Sequence, residues 1–191
     1  MRLIVGISGG SGSIYGIRFL EVLRDLGIES HLIITKWGGI TITYETDMKI
    51  EAVKRLASYT YSDDDLAARI SSGSFLNDGM IIIPCSMKTI GGILSGNADS
   101  LLVRAADVTL KEARRLVLVP RETPLNKIHL RNLLSVAEAG AIVMPPMPAF
   151  YHNPKSIDDI VNHIVGKALD LFGVKHDLYK RWRTLEEPND R

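Results

Sequence analysis

The run Leu3-Ile4-Val5-Gly6-Ile7, followed at once by Ser8-Gly9-Gly10-Ser11-Gly12-Ser13, decides the fold. Four aliphatic side chains around one glycine read as a strand buried on both faces. Small and hydroxylated residues then make a turn. A helical pattern follows over residues 13–26 and is closed by Gly27. Strand, glycine-rich turn and helix in that order open a parallel α/β unit.

The same alternation continues outward from this stretch. Strands are expected at residues 30–35, 79–84, 115–119 and, shorter, 141–144. Helices are expected at 49–57, 86–95, 99–113, 126–139 and 156–172, with further helix over 63–70. Ser156 is placed to cap the last helix, with Asp158 and Asp159 in its first turn. Five strands separated by helices predict a doubly wound parallel sheet, flavodoxin-like or Rossmann-like, in a single domain over residues 1–175.

Composition narrows the function. The 191 residues carry a net charge of +1, so no global field favours nucleic acid or an anionic membrane. The longest apolar runs, such as residues 80–83, fall far short of the roughly 20 residues that span a bilayer. The strand pattern is entered at once from Met1-Arg2, and no signal peptide is expected. Cys85 is the single cysteine, which fits a reducing compartment, and a cytoplasmic location is expected. Five scattered histidines show no metal-ligand spacing.

Open α/β sheets bind ligands beyond the carboxyl ends of their strands. All five strand ends here carry small, hydroxylated or charged residues. In the first loop, glycine backbone and a helix N-terminus suit a phosphate, although a tight turn would also explain the glycines. The dinucleotide pattern fails because Tyr15 stands where its last glycine belongs, and Thr35-Lys36 offers no acid for a ribose. A mononucleotide therefore fits better than a nicotinamide dinucleotide. Ser86 and Thr89 stand at a second helix start, as ligand contacts or as caps. Arg104 and Lys111, seven apart with Asp107 between, share a helix stripe that suits either a phosphate or solvent. Arg121 and Glu122 follow the fourth strand as a phosphate clamp and an acid or base, or as an ion pair. Glu45 is ambiguous alone, Tyr151 covers a pocket or packs, and Cys85 reads better as a small core residue than as a nucleophile.

Taken together, Gly6-Ile7-Ser8-Gly9-Gly10-Ser11-Gly12, Tyr44-Glu45-Thr46, Ser72-Gly73-Ser74-Phe75, Pro84-Cys85-Ser86-Met87-Lys88-Thr89, Arg104-Ala105-Ala106-Asp107, Pro120-Arg121-Glu122-Thr123-Pro124 and Pro145-Pro146-Met147-Pro148-Ala149-Phe150-Tyr151 resemble the UbiX/Pad family of flavin prenyltransferases, in the branch paired with phenolic-acid decarboxylases. The resemblance extends from residue 3 to Trp182. It implies a flavodoxin-like fold, bound FMN, no metal, and a homododecamer with sites at subunit interfaces. It implies transfer of dimethylallyl from dimethylallyl phosphate to N5 and C6 of reduced FMN, giving prenylated FMN for a UbiD-type decarboxylase. By position, Gly9, Gly10, Ser11, Thr35, Ser86, Met87, Lys88, Thr89 and Arg121 match FMN contacts. Tyr151 and Lys167 match the holders of the prenyl phosphate, with Arg104, Lys111 and Glu122 as further polar residues of that site. Glu45 matches a carboxylate near the flavin ring, and Ser11 and Glu122 match candidates for a proton shuttle. Trp182 matches an aromatic in a C-terminal tail, residues 176–191, expected to pack near the site and fray at its end. Lys167 departs from the more usual arginine, keeping the charge but not the bidentate fork. An FMN carrier without catalysis and an FMN-dependent cysteine-peptide decarboxylase are the alternatives. The latter expects a catalytic histidine near the first helix, where Ser13, Ile14 and Tyr15 stand.

Overall fold

The structure is a computed structural model that describes residues 1–182; by their contacts the residues form two units, Met1–Pro146 and a second from Met147 onward. Expected fraying over residues 186–191 lies outside the described residues.

The first unit is built on six strands: β1 (Arg2–Ile7), β2 (Glu29–Ile34), β3 (Tyr59–Tyr61), β4 (Met80–Cys85), β5 (Leu116–Pro120) and β6 (Ile142–Val143). They are parallel throughout, in the order β3-β2-β1-β4-β5-β6. That is the Rossmann order, with the reversal between β1 and β4. Without the three-residue edge strand β3 it is the flavodoxin order, so both sequence-based expectations describe one sheet. The central strands are continuous aliphatic runs because helices cover both their faces; Leu3, Val5, Ile81, Ile82 and Leu118 have no solvent exposure.

The helices of this unit are α1 (Ser13–Asp25), α2 (Lys36–Glu45), α3 (Ile50–Lys54), α4 (Met87–Ser95), α5 (Leu101–Lys111) and α6 (Lys127–Glu138). Gly12, just before α1, has φ 101°, a left-handed conformation that an L side chain resists. Three departures from the sequence reading lie between β2 and β4, the first being the edge strand β3, which makes six strands where five were expected. Helix α2, in a stretch where no element was expected, forms through Thr41-Ile42-Thr43, a β-branched run of lowered helix propensity. It is imposed from its start: the Thr35 hydroxyl accepts from the Gly38 amide at 3.0 Å, capping the helix. Gly38 then lies so close to β1 that a Cβ there would stand 2.4 Å from the Ile7 carbonyl oxygen. Residues 63–70, expected to be helical, instead form turns and a short 3-10 helix at Arg69–Ser71. The reason is Asp63, whose carbonyl and carboxylate accept from the Leu101 and Leu102 amides at 2.6 and 2.9 Å and cap α5 from outside.

In the second unit, α7 (Ile157–Leu171) begins with the expected Ser156 cap. Ser156 Oγ accepts from the Asp159 amide at 3.2 Å, and Asp159 reaches back to the Ser156 amide at 3.0 Å. Among the described residues, no helix is long and apolar enough to cross a membrane.

Candidate active site

Beyond the carboxyl ends of β1, β2 and β4, at the sheet's reversal point, lies a cavity of about 580 Å³ whose lining includes Ser8, Gly9, Thr35, Lys36, Ser86, Lys88 and Thr89. Buried Ser8 ties two loops together, accepting from the Ser86 amide at 2.7 Å and donating to the Pro84 carbonyl at 3.1 Å. Ser86 caps α4, its Oγ accepting from the Thr89 amide at 3.3 Å and lying 3.0 Å from Thr89 Oγ1. The wall combines hydroxyls, two lysines and the positive end of a nine-residue helix with two acidic residues, Asp99 and Asp63, the latter's carboxylate taken up by the Leu102 amide of α5. This donor set matches a phosphate ester, and the volume falls in the range of cofactor pockets, about 300–1,000 Å³. Residues of that kind fit FMN bound by its phosphate at α4.

The first loop is arranged differently from the phosphate cradle expected of it. The Glu45 carboxylate, at the end of α2, accepts from the Gly12 amide at 2.9 Å, and from the Ser13 amide and hydroxyl at 2.8 Å each. Ser11 adds a further side-chain hydrogen bond. Burial opposes the charge on Glu45, but these donors outweigh it and hold the carboxyl below its ordinary range. The N-terminus of α1 thus already holds an internal anion, and the open anion-seeking helix end is that of α4. Of the first-loop residues named from sequence, Gly9 lines the cavity, while Gly10 is buried and Ser11 turns to Glu45.

The other expected residues separate into groups. Met87 packs partly buried against the hydrophobic core rather than lining the cavity. Exposed Arg121 and Glu122 follow β5, and the Arg121 amide donates to the Cys85 carbonyl at 3.2 Å, which sets them beside the end of β4. Cys85 is fully buried and burial pushes its thiol up, as befits a packing residue. Arg104 pairs with Asp107 at 2.7 Å and donates to the Ser71 carbonyl at 3.2 Å. Lys111 pairs with Glu112 at the far end of α5. The predicted stripe exists, but neither cation lines the cavity of its own chain.

The second unit gathers the three expected substrate residues. The Tyr151 ring lies edge-on to Trp182, centroids 5.3 Å apart, and its hydroxyl is 3.2 Å from His163 Nε2. Lys167 follows His163 by one helical turn and lies 3.8 Å from Asp170. Sequence reasoning passed over His163 and Asp170. The spacing of four between His163 and Lys167 was the available signal for the first. Asp170 accepts from Tyr179 at 2.6 Å, Arg181 at 2.6 Å and His176 at 3.1 Å, an anchor that only the folded chain assembles.

The family model for flavoproteins matches residues 1–169. A probable UbiX-like flavin prenyltransferase of Bacillus subtilis is 51% identical over 187 residues, which is 98% of this chain and 92% of that protein. The crystal structure of AnUbiX (PadA1), in complex with FMN and dimethylallyl pyrophosphate, superposes with a TM-score of 0.95 at 51% identity, covering 97% of this chain and 98% of that one. A dodecameric FMN-dependent UbiX-like decarboxylase from Escherichia coli O157:H7 superposes with a TM-score of 0.94 at 51% identity, covering 96% and 100%. With the phosphate-suited cavity at the sheet's reversal point, these likenesses make the chain a member of the flavoprotein family and, within it, of the UbiX-like flavin prenyltransferases.

Proposed function

We propose that this chain binds reduced FMN and transfers to it the dimethylallyl group of dimethylallyl phosphate, forming bonds at N5 and C6. The observation that carries the reading is the cavity at the carboxyl ends of β1, β2 and β4, where hydroxyls, Lys88 and the start of α4 converge. It is supported by the FMN and dimethylallyl pyrophosphate held by the half-identical AnUbiX.

Ser86, Lys88 and Thr89 hold the flavin phosphate, Gly9 and Thr35 line its approach, and Gly10, Met87 and Arg121 shape the loops behind them. Reduced FMN, when bound, supplies an electron-rich nitrogen able to attack an allylic carbon. The protein's part is electrostatic. Arg104, Lys111 and Lys167 offset charge on the departing phosphate, and Tyr151 donates to it. Glu122 gives that phosphate a proton and, with Ser11, moves the proton released at C6. Glu45 fixes the first loop beside the ring, and Trp182 packs edge-on against Tyr151, the residue read as a phosphate holder.

The same reading has the chain work as a homododecamer in the cytoplasm, its product used by a UbiD-type decarboxylase. A shared site between copies gives Arg104 and Lys111 a role although neither lines its own chain's cavity, and a dodecameric relative supports it. The single, buried thiol supports the compartment.

The test is mass spectrometry of the protein-bound flavin after reduction with dimethylallyl monophosphate or diphosphate. A gain of one C5H8 unit with the monophosphate is expected. FMN that stays bound but unmodified with both donors would instead identify a carrier.

A further inference from the structure

Inside the second unit, His163 is only 6% exposed and its ring is fixed from three sides. His152 stacks on it with centroids 5.0 Å apart and planes 7° from parallel. Tyr179 packs against it at 4.8 Å and 64°, and Tyr151 meets it edge-on at 5.7 Å and 79°. Among the described residues its one polar contact is Nε2 to the Tyr151 hydroxyl at 3.2 Å, and Nδ1 is buried with no hydrogen-bond partner. Burial, with His152 and Lys167 nearby, lowers its pKa and keeps the imidazole neutral near pH 7.

A neutral imidazole has one N–H, and the two placements differ in what they leave Tyr151 able to do. With the proton on Nδ1, a buried N–H has no acceptor, and Nε2 must accept from Tyr151, so the phenol spends its only proton on the histidine. With the proton on Nε2, histidine donates to the phenol oxygen, Nδ1 keeps a bare lone pair, and the Tyr151 proton is released to point elsewhere. An orphaned buried N–H is the costlier and rarer of the two defects.

From this we infer that His163 is a positioning residue, donating from Nε2 to Tyr151 and thereby keeping the tyrosine hydroxyl a donor to the phosphate of the prenyl substrate. The inference rests on the reading of Tyr151 as a phosphate ligand, and it assigns to His163 a role that does not touch substrate. The stacked His152 and the packed Tyr179 serve it by denying the ring a second orientation.

Neutron diffraction of the wild-type protein reads the tautomer directly, with deuterium expected on Nε2 of His163; deuterium on Nδ1 overturns the inference. Steady-state formation of prenylated FMN, with dimethylallyl monophosphate varied, reads its consequence. His163→Met, which fills the space without a donor, is expected to raise KM for the monophosphate about tenfold with kcat changed far less, as loss of one charge-assisted hydrogen bond would. His163→Gln, whose amide can donate, is expected to stay within about twofold of wild type. In a Tyr151→Phe background His163→Met should add nothing further, whereas independent, multiplying losses would overturn the inference. If Tyr151→Phe itself leaves KM unchanged, the phosphate reading of Tyr151 has failed. If Tyr151→Phe raises KM and His163→Met does not, only the role of His163 has failed.

Discussion

The Glu45 carboxylate sits 2.8 Å from the Ser13 amide, joining the last residue of α2 to the first residue of α1 across 32 positions of sequence. This contact closes the N-terminus of α1 with a side chain that arrives from another helix, because the Gly12 cap position has no side chain to do so. It also sorts the two helix N-termini at the sheet's reversal point. One is filled by the protein's own anion, so a phosphate entering the cavity meets its favourable dipole at α4.

Replacing Glu45 by Gln keeps an acceptor but removes the charge. Stability at pH 7 should fall by about 1 kcal/mol, the usual worth of a helix cap, read as a lower urea midpoint at unchanged m-value. The folded carboxyl titrates below its unfolded value, so its contribution is present above the unfolded pKa of about 4.3 and disappears as pH falls through the lower folded value. Wild type and Glu45→Gln should therefore differ at pH 7 and converge at strongly acidic pH. A difference that persists undiminished there would show that the charge is not what matters.

Lys88→Ala should raise the Kd for FMN about tenfold, the order expected when a hydrogen bond to a charged phosphate is lost. Riboflavin, which lacks the phosphate, should bind wild type and variant alike. Fluorescence titration measures both. Equal weakening toward the two flavins would place Lys88 at the ring or ribityl chain and shift the phosphate away from α4.

Glu122→Gln should bind FMN normally yet form prenylated FMN about 100-fold more slowly or worse, the scale of a lost general acid. Mass spectrometry of the bound flavin over time gives the rate. A variant that prenylates at the wild-type rate removes Glu122 from the proton path.

Fold and site were legible in the sequence to different depths, for physical reasons. The strand at Leu3–Ile7 and its partners near residues 80, 116 and 142 are written as aliphatic runs because both faces of the sheet are covered. The edge strand Tyr59–Tyr61 has three residues, two of them exposed and only Tyr61 partly buried, too little for a period to show. Helix α2 was invisible because contacts at Thr35 and Gly38, not the propensity of Thr41-Ile42-Thr43, impose it. Ser86, Lys88 and Thr89 were legible since they follow a strand directly. The bond between Glu45 and Ser13 was not, because its partners meet only after α2 has folded against α1. The stripe of Arg104 and Lys111 could be read as a face, but no local pattern says at which end of the sheet a face will finish.

Asp170 offers a pH signature in the second unit. Burial works against its charge, yet hydrogen bonds from Arg181, Tyr179 and His176 outweigh that and bring its pKa down to about 2. Its stabilisation is therefore complete above the unfolded value of about 3.9 and is lost as pH falls from there toward 2. Hydrogen exchange over residues 176–182 should accelerate across that window, and Asp170→Asn should show the faster exchange already at pH 7. Identical exchange in wild type and variant would mean that this carboxylate does not anchor the segment.

Gly166 tests the same anchor by geometry. It lies inside α7, where alanine ordinarily stabilises by about 1 kcal/mol over glycine. A Cβ at this position would stand 2.5 Å from Tyr179 Cδ1 and 2.7 Å from His176 Cε1, closer than side chains tolerate. Both rings are held by Asp170 and cannot yield without breaking those bonds. Gly166→Ala is therefore expected to keep α7 but displace residues 176–182, giving faster proteolysis after Lys175 or Lys180 and a lower prenylation rate with FMN affinity intact. A more stable protein with unchanged proteolysis would show that the segment relaxes around the methyl group, and with it that Tyr179 and His176 are less firmly seated than their bonds to Asp170 imply.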